Sequence, residues 1–177
     1  MSELLTLQGV PVYVADKESR MITATSPIIR EKLIKAFGNE LYDGESLNKV
    51  LLASYIFNDK EKLDIVNSII HPEVKKHFIK WLDEHASYDI VAHESAILFE
   101  AGLNLFVDKT VMIYAPLELR IERVMQRDRT SRDKVLERIN SQMPDEEKKE
   151  LSDFVIYNDG SASLITQTVD LLNEIRK

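Results

Sequence analysis

No cysteine occurs among the 177 residues, which excludes disulfides, thiolate nucleophiles and cysteine-ligated zinc and is compatible with a reducing compartment. Glycine and proline are scarce, five of each, and they fall at the ends of apolar segments. No long linker, low-complexity tract or internal repeat is therefore expected. No apolar run approaches the roughly 20 residues of a membrane span. The opening MSELLTLQG lacks the basic start and long apolar centre of a signal peptide, so the expectation is a soluble, cytoplasmic protein. Net positive charge is missing too. A formal charge of -7 predicts poor general affinity for nucleic acid, since backbone phosphates need positive surface. No GxSxG elbow marks a serine nucleophile. What is present, 44% hydrophobic and 30% charged residues, suffices for one sizeable core with a small helical appendage.

Against this acidic background Arg120, Arg123, Arg127, Arg129, Arg132 and Arg138 crowd into one stretch, six of the nine arginines. If Pro116 to Asp128 is a helix, Arg120, Arg123 and Arg127 share a face by the i, i+3, i+7 rule. A guanidinium stays charged at any working pH and matches phosphate oxygens with a planar fork of donors, so polyphosphate is one natural guest. An ordinary solvated helix is the other reading. Asp128 with Arg132 and Arg129 with Asp133 are opposite charges four apart.

Four short apolar runs read as buried strands: Val10 to Val14, Asp89 to Ala92, Val111 to Tyr114 and Phe154 to Tyr157. Helical patterns separate them. Ser2 to Gln8 reads as the tail of a helix closed by Gly9. Ser26 and Pro27 look like an N-cap with proline at the first helical position, Ile29, Leu33 and Phe37 form a stripe, and Gly38 closes it. Asn58 with Glu61 resembles a capping box, Leu63, Val66 and Ile70 follow on one face, and Pro72 separates them from a second helix carrying Val74, Phe78, Trp81 and Leu82. A last helix after Gly160 and Ser161 turns Leu164, Thr168, Leu171, Leu172 and Ile175 inward. Strands alternating with helices predict an α/β fold with a doubly wound parallel sheet. Residues 23–86, without a convincing strand, read as a helical insertion over the strand ends that could be a substrate domain.

In such sheets ligands bind beyond the carboxyl ends of the strands. Asp16 follows the first strand, either as an acceptor of a substrate proton or as an N-cap for Lys17 to Ile22. Glu94 follows the second, either orienting magnesium through water or capping. Tyr157 to Ser161, YNDGS, is a turn that can meet a flat heterocycle through its backbone and the Asn158 amide, or a plain turn. His71 before Pro72 has no His, Asp or Glu near it at metal-ligand spacing, and no metal cage is assigned.

Together VPVYVADKESR (Val10 to Arg20), IIHPEV (Ile69 to Val74), ILFEAGL (Ile97 to Leu103), RVMQRD (Arg123 to Asp128) and VIYNDGS (Val155 to Ser161) resemble the dephospho-coenzyme A kinase family in order and spacing. The resemblance covers essentially the whole chain and implies a core of residues 1–22 and 87–177, with a lid at about 120–150, and a helical substrate-binding insertion over 23–86. It implies a P-loop kinase fold that moves the γ-phosphoryl group of ATP, with Mg2+, onto the ribose 3′-hydroxyl of dephospho-coenzyme A, in a monomer or small homo-oligomer. By the resemblance Asp16 is the general base and Arg20 a substrate-binding position. Arg123 and Arg127 close over the phosphates, with Arg123 counted among the catalytic groups. Asn158 and Gly160 lie where the family holds adenine, and His71, Leu98, Phe99 and Glu100 contact dephospho-coenzyme A.

The chain departs from the family pattern at four places. Val14 stands for the first Asp of a DxD pair, Glu94 for an Asp and Ala96 for a Pro. The fourth is larger, because GxxxxGK[ST] occurs nowhere. Met1 falls where the family has just left that loop, so roughly 15 to 20 residues, a strand and its loop, are expected to be missing. A misassigned start codon or a shortened recombinant chain is the expected explanation. Activity of the chain as written is expected to collapse, and loss of a central strand to leave aggregation-prone edges. A non-catalytic dephospho-coenzyme A binder and another nucleoside or nucleotide kinase are the alternatives.

Overall fold

A computed structural model describes residues 1–57 and 59–177. In chain order these form α1 (Ser2–Leu7), β1 (Val12–Val14), α2 (Ala15–Thr25), α3 (Pro27–Phe37), β2 (Tyr42–Asp43), β3 (Ser46–Leu47), α4 (Lys49–Ile56) and α5 (Lys60–Glu84). There follow β4 (Ala92–Glu94), β5 (Val111–Tyr114), α6 (Leu117–Asp128), α7 (Arg132–Asn140), α8 (Asp145–Leu151), β6 (Phe154–Tyr157) and α9 (Leu164–Ile175). Short 3-10 turns occupy Asn39–Leu41 and Leu103–Phe106. The chain divides into two compact units, Val10–Glu94 and Met1–Gly9 with Ser95–Lys177. The α/β class is as expected. In place of a single doubly wound sheet, each unit holds its own parallel pair of strands, β1 with β4 and β5 with β6.

In the unit Val10–Glu94, β1 pairs with β4 in the register Val12 to Ala92 and Val14 to Glu94. Pro11 has no N–H to give, so it only accepts, from Ala92 N at 2.8 Å, and the ladder begins after it. The second strand therefore runs Ala92–Glu94 rather than the expected Asp89 to Ala92, and Glu94 is its last residue. Tyr13 fixes this pair to α5. It is 1% exposed, with its ring centroid 4.8 Å from Phe78, 5.4 Å from Trp81 and 5.6 Å from His93. Burial first, and the Glu18 charge second, push its phenol up to about 12, and its hydroxyl meets His77 Nδ1 at 3.2 Å.

The helices of this unit surround a separate core. Ser26 Oγ accepts from Ile29 N at 3.3 Å, capping α3 with Pro27 in its first turn, and Gly38 ends it at φ 98°. Ile29 and Leu33, one turn apart, are 0% exposed and pack with Leu41, Leu52, Val66 and Ile69. Leu33→Ala is expected to cost about 2–5 kcal/mol in urea unfolding, the usual range for a large-to-small change in a filled core; a loss below about 1 kcal/mol would contradict this packing.

Two expectations fail in α5. Pro72 does not separate two helices, since α5 runs unbroken for 25 residues. Pro72 is exposed, so the hydrogen bond it forfeits faces water, while Val66, Ile69 and Glu73 keep a buried face on both sides of it. The capping box proposed at Asn58 lies outside the described residues; Asp59 caps instead, accepting from Lys62 N at 3.0 Å. The stretch 23–86 also holds a small hairpin, β2 with β3, whose two-residue turn begins at Gly44 with φ 56°.

In the other unit β5 and β6 pair in register from Val111 with Phe154 to Tyr114 with Tyr157, within the bounds expected. Asp153 secures the entry, its Oδ2 accepting from Thr110 N at 2.8 Å and Thr110 Oγ1 at 2.7 Å. Helix α9 covers β6 with Thr168, Leu171 and Leu172 buried. On its outward side Gln167 lies along Tyr157, its Oε1 accepting from Tyr157 N at 2.8 Å and its Nε2 donating to Tyr157 O at 2.9 Å. Among the described residues no helix is long and apolar enough to cross a membrane.

Candidate functional site

At the carboxyl end of the β1 and β4 pair two acids come together. Asp16 is not a cap; it stands in the first turn of α2, whose N-cap is Val14. Its side chain is 64% exposed and its Oδ2 lies 3.9 Å from Arg20 Nη2, one helical turn on. Glu94 ends β4. Partial burial first, and the negative charge of Asp16 second, raise its carboxyl above the usual range. Among the described residues no three His, Cys, Asp or Glu gather to hold a metal by themselves.

The arginine stretch is helical over Leu117–Asp128 and then turns sharply, Arg129 adopting φ 50° before α7 begins at Arg132. The turn removes the i, i+4 pairs of a long surface helix. Asp128 binds Arg127 Nε at 2.7 Å and Arg138 Nη1 at 3.2 Å, while Arg132 makes a two-pronged bond to Glu118, at 2.8 and 2.7 Å. Arg120 pairs with Asp145 of α8. Hydrogen bonding from Arg127 is the main reason the Asp128 carboxyl drops from 3.8 to about 2. A carboxyl depressed in the fold contributes stability at pH above its unfolded value, and that contribution fades as pH falls through the folded one. A carbon-detected NMR titration of Asp128 should show a midpoint near 2; a midpoint near 3.8 would mean that the cluster does not form in solution.

Arg123 points elsewhere. Its Nη1 donates to Asn158 O at 2.8 Å, and Asn158 N donates to Tyr114 O at 2.7 Å. The arginine helix and the turn after β6, 35 residues apart, thus meet at the carboxyl ends of β5 and β6. Asp159 Oδ1 shapes that turn by accepting from Ser161 N at 2.9 Å and Ser161 Oγ at 2.6 Å, and Gly160 supplies φ 87°. Tyr114 and Tyr157 stand side by side at the strand ends with Lys149 Nζ 4.8 and 5.5 Å from their ring centroids.

Leu98, Phe99 and Glu100 lie in a chain of turns before the 3-10 segment Leu103–Phe106. Ala101 N bonds Ile97 O, Gly102 N bonds Phe99 O, and Leu103 N bonds Leu98 O, each at 2.9 Å. Leu98 and Phe99 are half-buried, and the Glu100 carboxylate is engaged by Lys148 Nζ and Met143 N, both at 2.8 Å. Of the other expected residues, His71 stands on the exposed side of α5. The structure thus joins Asp16 to Arg20 and Glu94, and Arg123 to Asn158. Lys148, Asp145, Glu118 and Gln167 escape sequence reading. Each finds its partner 10 or more positions away, and in EEKKE nothing distinguishes Lys148 from Lys149.

Comparison with known proteins agrees in family. Residues 1–163 match the family model described as dephospho-CoA kinase. A dephospho-CoA kinase of Bacteroides fragilis is 49% identical over 97% of this chain and 84% of its own length, and one of Porphyromonas gingivalis 36% identical over 99% and 87%. Among solved structures, TT1252 from Thermus thermophilus superposes with a TM-score of 0.87 at 31% identity, over 99% of this chain and 89% of that one. Dephospho-CoA kinase from Campylobacter jejuni gives 0.69 at 28%, over 98% and 88%.

Proposed function

The chain belongs to the dephospho-CoA kinase family, and on that premise we propose that its residues carry the acceptor site and the arginine lid for ATP-dependent phosphorylation of the ribose 3′-hydroxyl of dephospho-CoA. The observation that carries this reading is the bond from Arg123 to the Asn158 carbonyl, which sets a phosphate-binding guanidinium against the turn at the strand ends. Asp16 accepts the hydroxyl proton, and its exposure leaves it open to a sugar alcohol. Arg20 binds the acceptor. Arg123 and Arg127 neutralise charge on the phosphates, Arg127 being 70% exposed. Asn158 and Gly160 hold adenine; His71, Leu98, Phe99 and Glu100 serve the dephospho-CoA side.

In this division 1–22 and 87–177 act as the kinase core, about 120–150 as its lid and 23–86 as the substrate-binding insertion. Bound ATP supplies the phosphoryl group, and Mg2+, which Glu94 would hold through water, supplies charge neutralisation. Positioning and electrostatics account for most of such catalysis, so one carboxylate and a set of guanidiniums are a sufficient division of labour.

No GxxxxGK[ST] occurs in these 177 residues. By themselves they supply no backbone cradle, no Lys for the β and γ phosphates and no hydroxyl for Mg2+. Transfer by these residues alone is therefore expected at background, while acceptor binding is retained. In calorimetry dephospho-CoA should give saturable heat and ATP alone none. Absence of heat with dephospho-CoA would remove the acceptor-site reading; a purely binding role, which the missing motif also fits, is separated by the loop experiment below.

A further inference from the structure

Lys148 is 8% exposed, although lysine is among the residues least often buried. Its ammonium donates to Glu100 Oε1 and to Ala96 O, both at 2.8 Å, and Glu100 Oε1 also accepts from Met143 N at 2.8 Å. One cation on α8 therefore grips the 95–106 segment at two points four residues apart, Ala96 and Glu100, and Met143 N, between α7 and α8, reinforces the second. Burial alone would raise the Glu100 carboxyl, but the bonds from Lys148 and Met143 N outweigh it and hold the group below the ordinary range. An ion pair with its cation buried is a poor way to gain stability, because desolvation of the ammonium offsets much of the attraction, and an apolar side chain of similar size often does as well. Its use is to impose one arrangement. Besides the clamp the segment is held by the three backbone bonds of the Ile97 to Leu103 turns, by Ser95 Oγ accepting from Ile97 N at 3.2 Å and by half-buried Leu98 and Phe99, while Ile97, Leu105 and Phe106 are exposed.

We infer that Lys148 is a positioning residue: with Glu100 it forms a clamp that sets the shape of the segment carrying Leu98 and Phe99, so Glu100 acts on acceptor binding through the fold rather than by touching the acceptor. This rests on the reading of the segment as part of the dephospho-CoA site. Because α8 also holds Arg120 of the arginine helix through Asp145, the clamp gives the segment and that helix a common anchor.

Three variants of the full chain test it: Lys148→Met, which keeps length but not charge, Lys148→Arg, which keeps charge, and Glu100→Gln. Each is checked for native circular dichroism, then measured by amide hydrogen exchange and by dephospho-CoA calorimetry. Lys148→Met and Glu100→Gln should both speed exchange at Ala101, Gly102 and Leu103 by about tenfold or more, with the β5 and β6 amides unchanged. Both should weaken dephospho-CoA about tenfold, and Lys148→Arg should stay within about threefold of the parent. If Lys148→Met binds as tightly as the parent while Glu100→Gln does not, Glu100 touches the acceptor and the inference fails. Unchanged exchange in both variants overturns it as well. Should the parent chain not bind dephospho-CoA, the acceptor reading fails on its own, and exchange alone then decides whether the clamp exists.

Discussion

Joining a strand and a GxxxxGK[ST] loop ahead of Met1 is expected to raise phosphoryl transfer to dephospho-CoA by at least about 10^3-fold over the 177 residues alone. The size follows from what the loop adds. A single preorganised donor to developing charge is worth about 10^2–10^3 in rate, and the loop brings a lysine, a run of backbone N–H groups and a hydroxyl for Mg2+ together. On the proposed reading the acceptor side needs no such addition, since Asp16 already stands beside Arg20 and Glu94 at the ends of β1 and β4. ADP release with dephospho-CoA as acceptor, compared between the two chains, is the measurement. Rates within tenfold of each other would mean that these residues already cradle phosphate by other means, and an extended chain with no transfer would favour the purely binding role.

Arg127→Ala in the loop-bearing chain is expected to lower turnover by about 10^2–10^3-fold while shifting the melting temperature by no more than about 2 °C. The two readouts separate because of how Arg127 is held. Its guanidinium is mostly exposed and leans on Asp128, which Arg138 also engages, so removing it leaves Asp128 partnered. Exposed pairs of this kind add little to stability, whereas a guanidinium meeting transferring phosphate stabilises charge that exists only in the transition state. Turnover equal to the parent would remove Arg127 from the lid. A large loss of melting temperature would show that the ion cluster holds the helix rather than the phosphates.

Features written locally in the chain were legible. The strands Val111–Tyr114 and Phe154–Tyr157, the Ser26 cap and the closing Gly38 each depend on neighbouring residues, and all appear as expected. Asp89 to Ala92 was misread because Ile90 and Val91 are apolar yet precede the ladder, whose start lies opposite Pro11, just before the distant strand β1. Pro72 looked like a helix break because the breaking rule is local, while its exposure, which makes the lost bond tolerable, comes from packing on α2 and α3. The hairpin at Tyr42 to Leu47 did carry its signal, a glycine opening the two-residue loop Gly44-Glu45, in a segment too short to show alternation. At the site, Arg123 and Asn158 could be named from motifs but not their meeting. Nor could spacing reveal that Arg132 turns to Glu118 instead of Asp128, since that depends on the left-handed turn at Arg129.

The amide of Gln167 has the donor and acceptor pattern of a peptide unit, and where it lies on Tyr157 it takes up the hydrogen-bonding capacity that a neighbouring chain would otherwise recruit. A border strand beside a pairing-competent side chain meets other molecules as though it were already interior. At Tyr157 the outer edge of β6 is thus satisfied from within the chain, by one neutral side chain of α9.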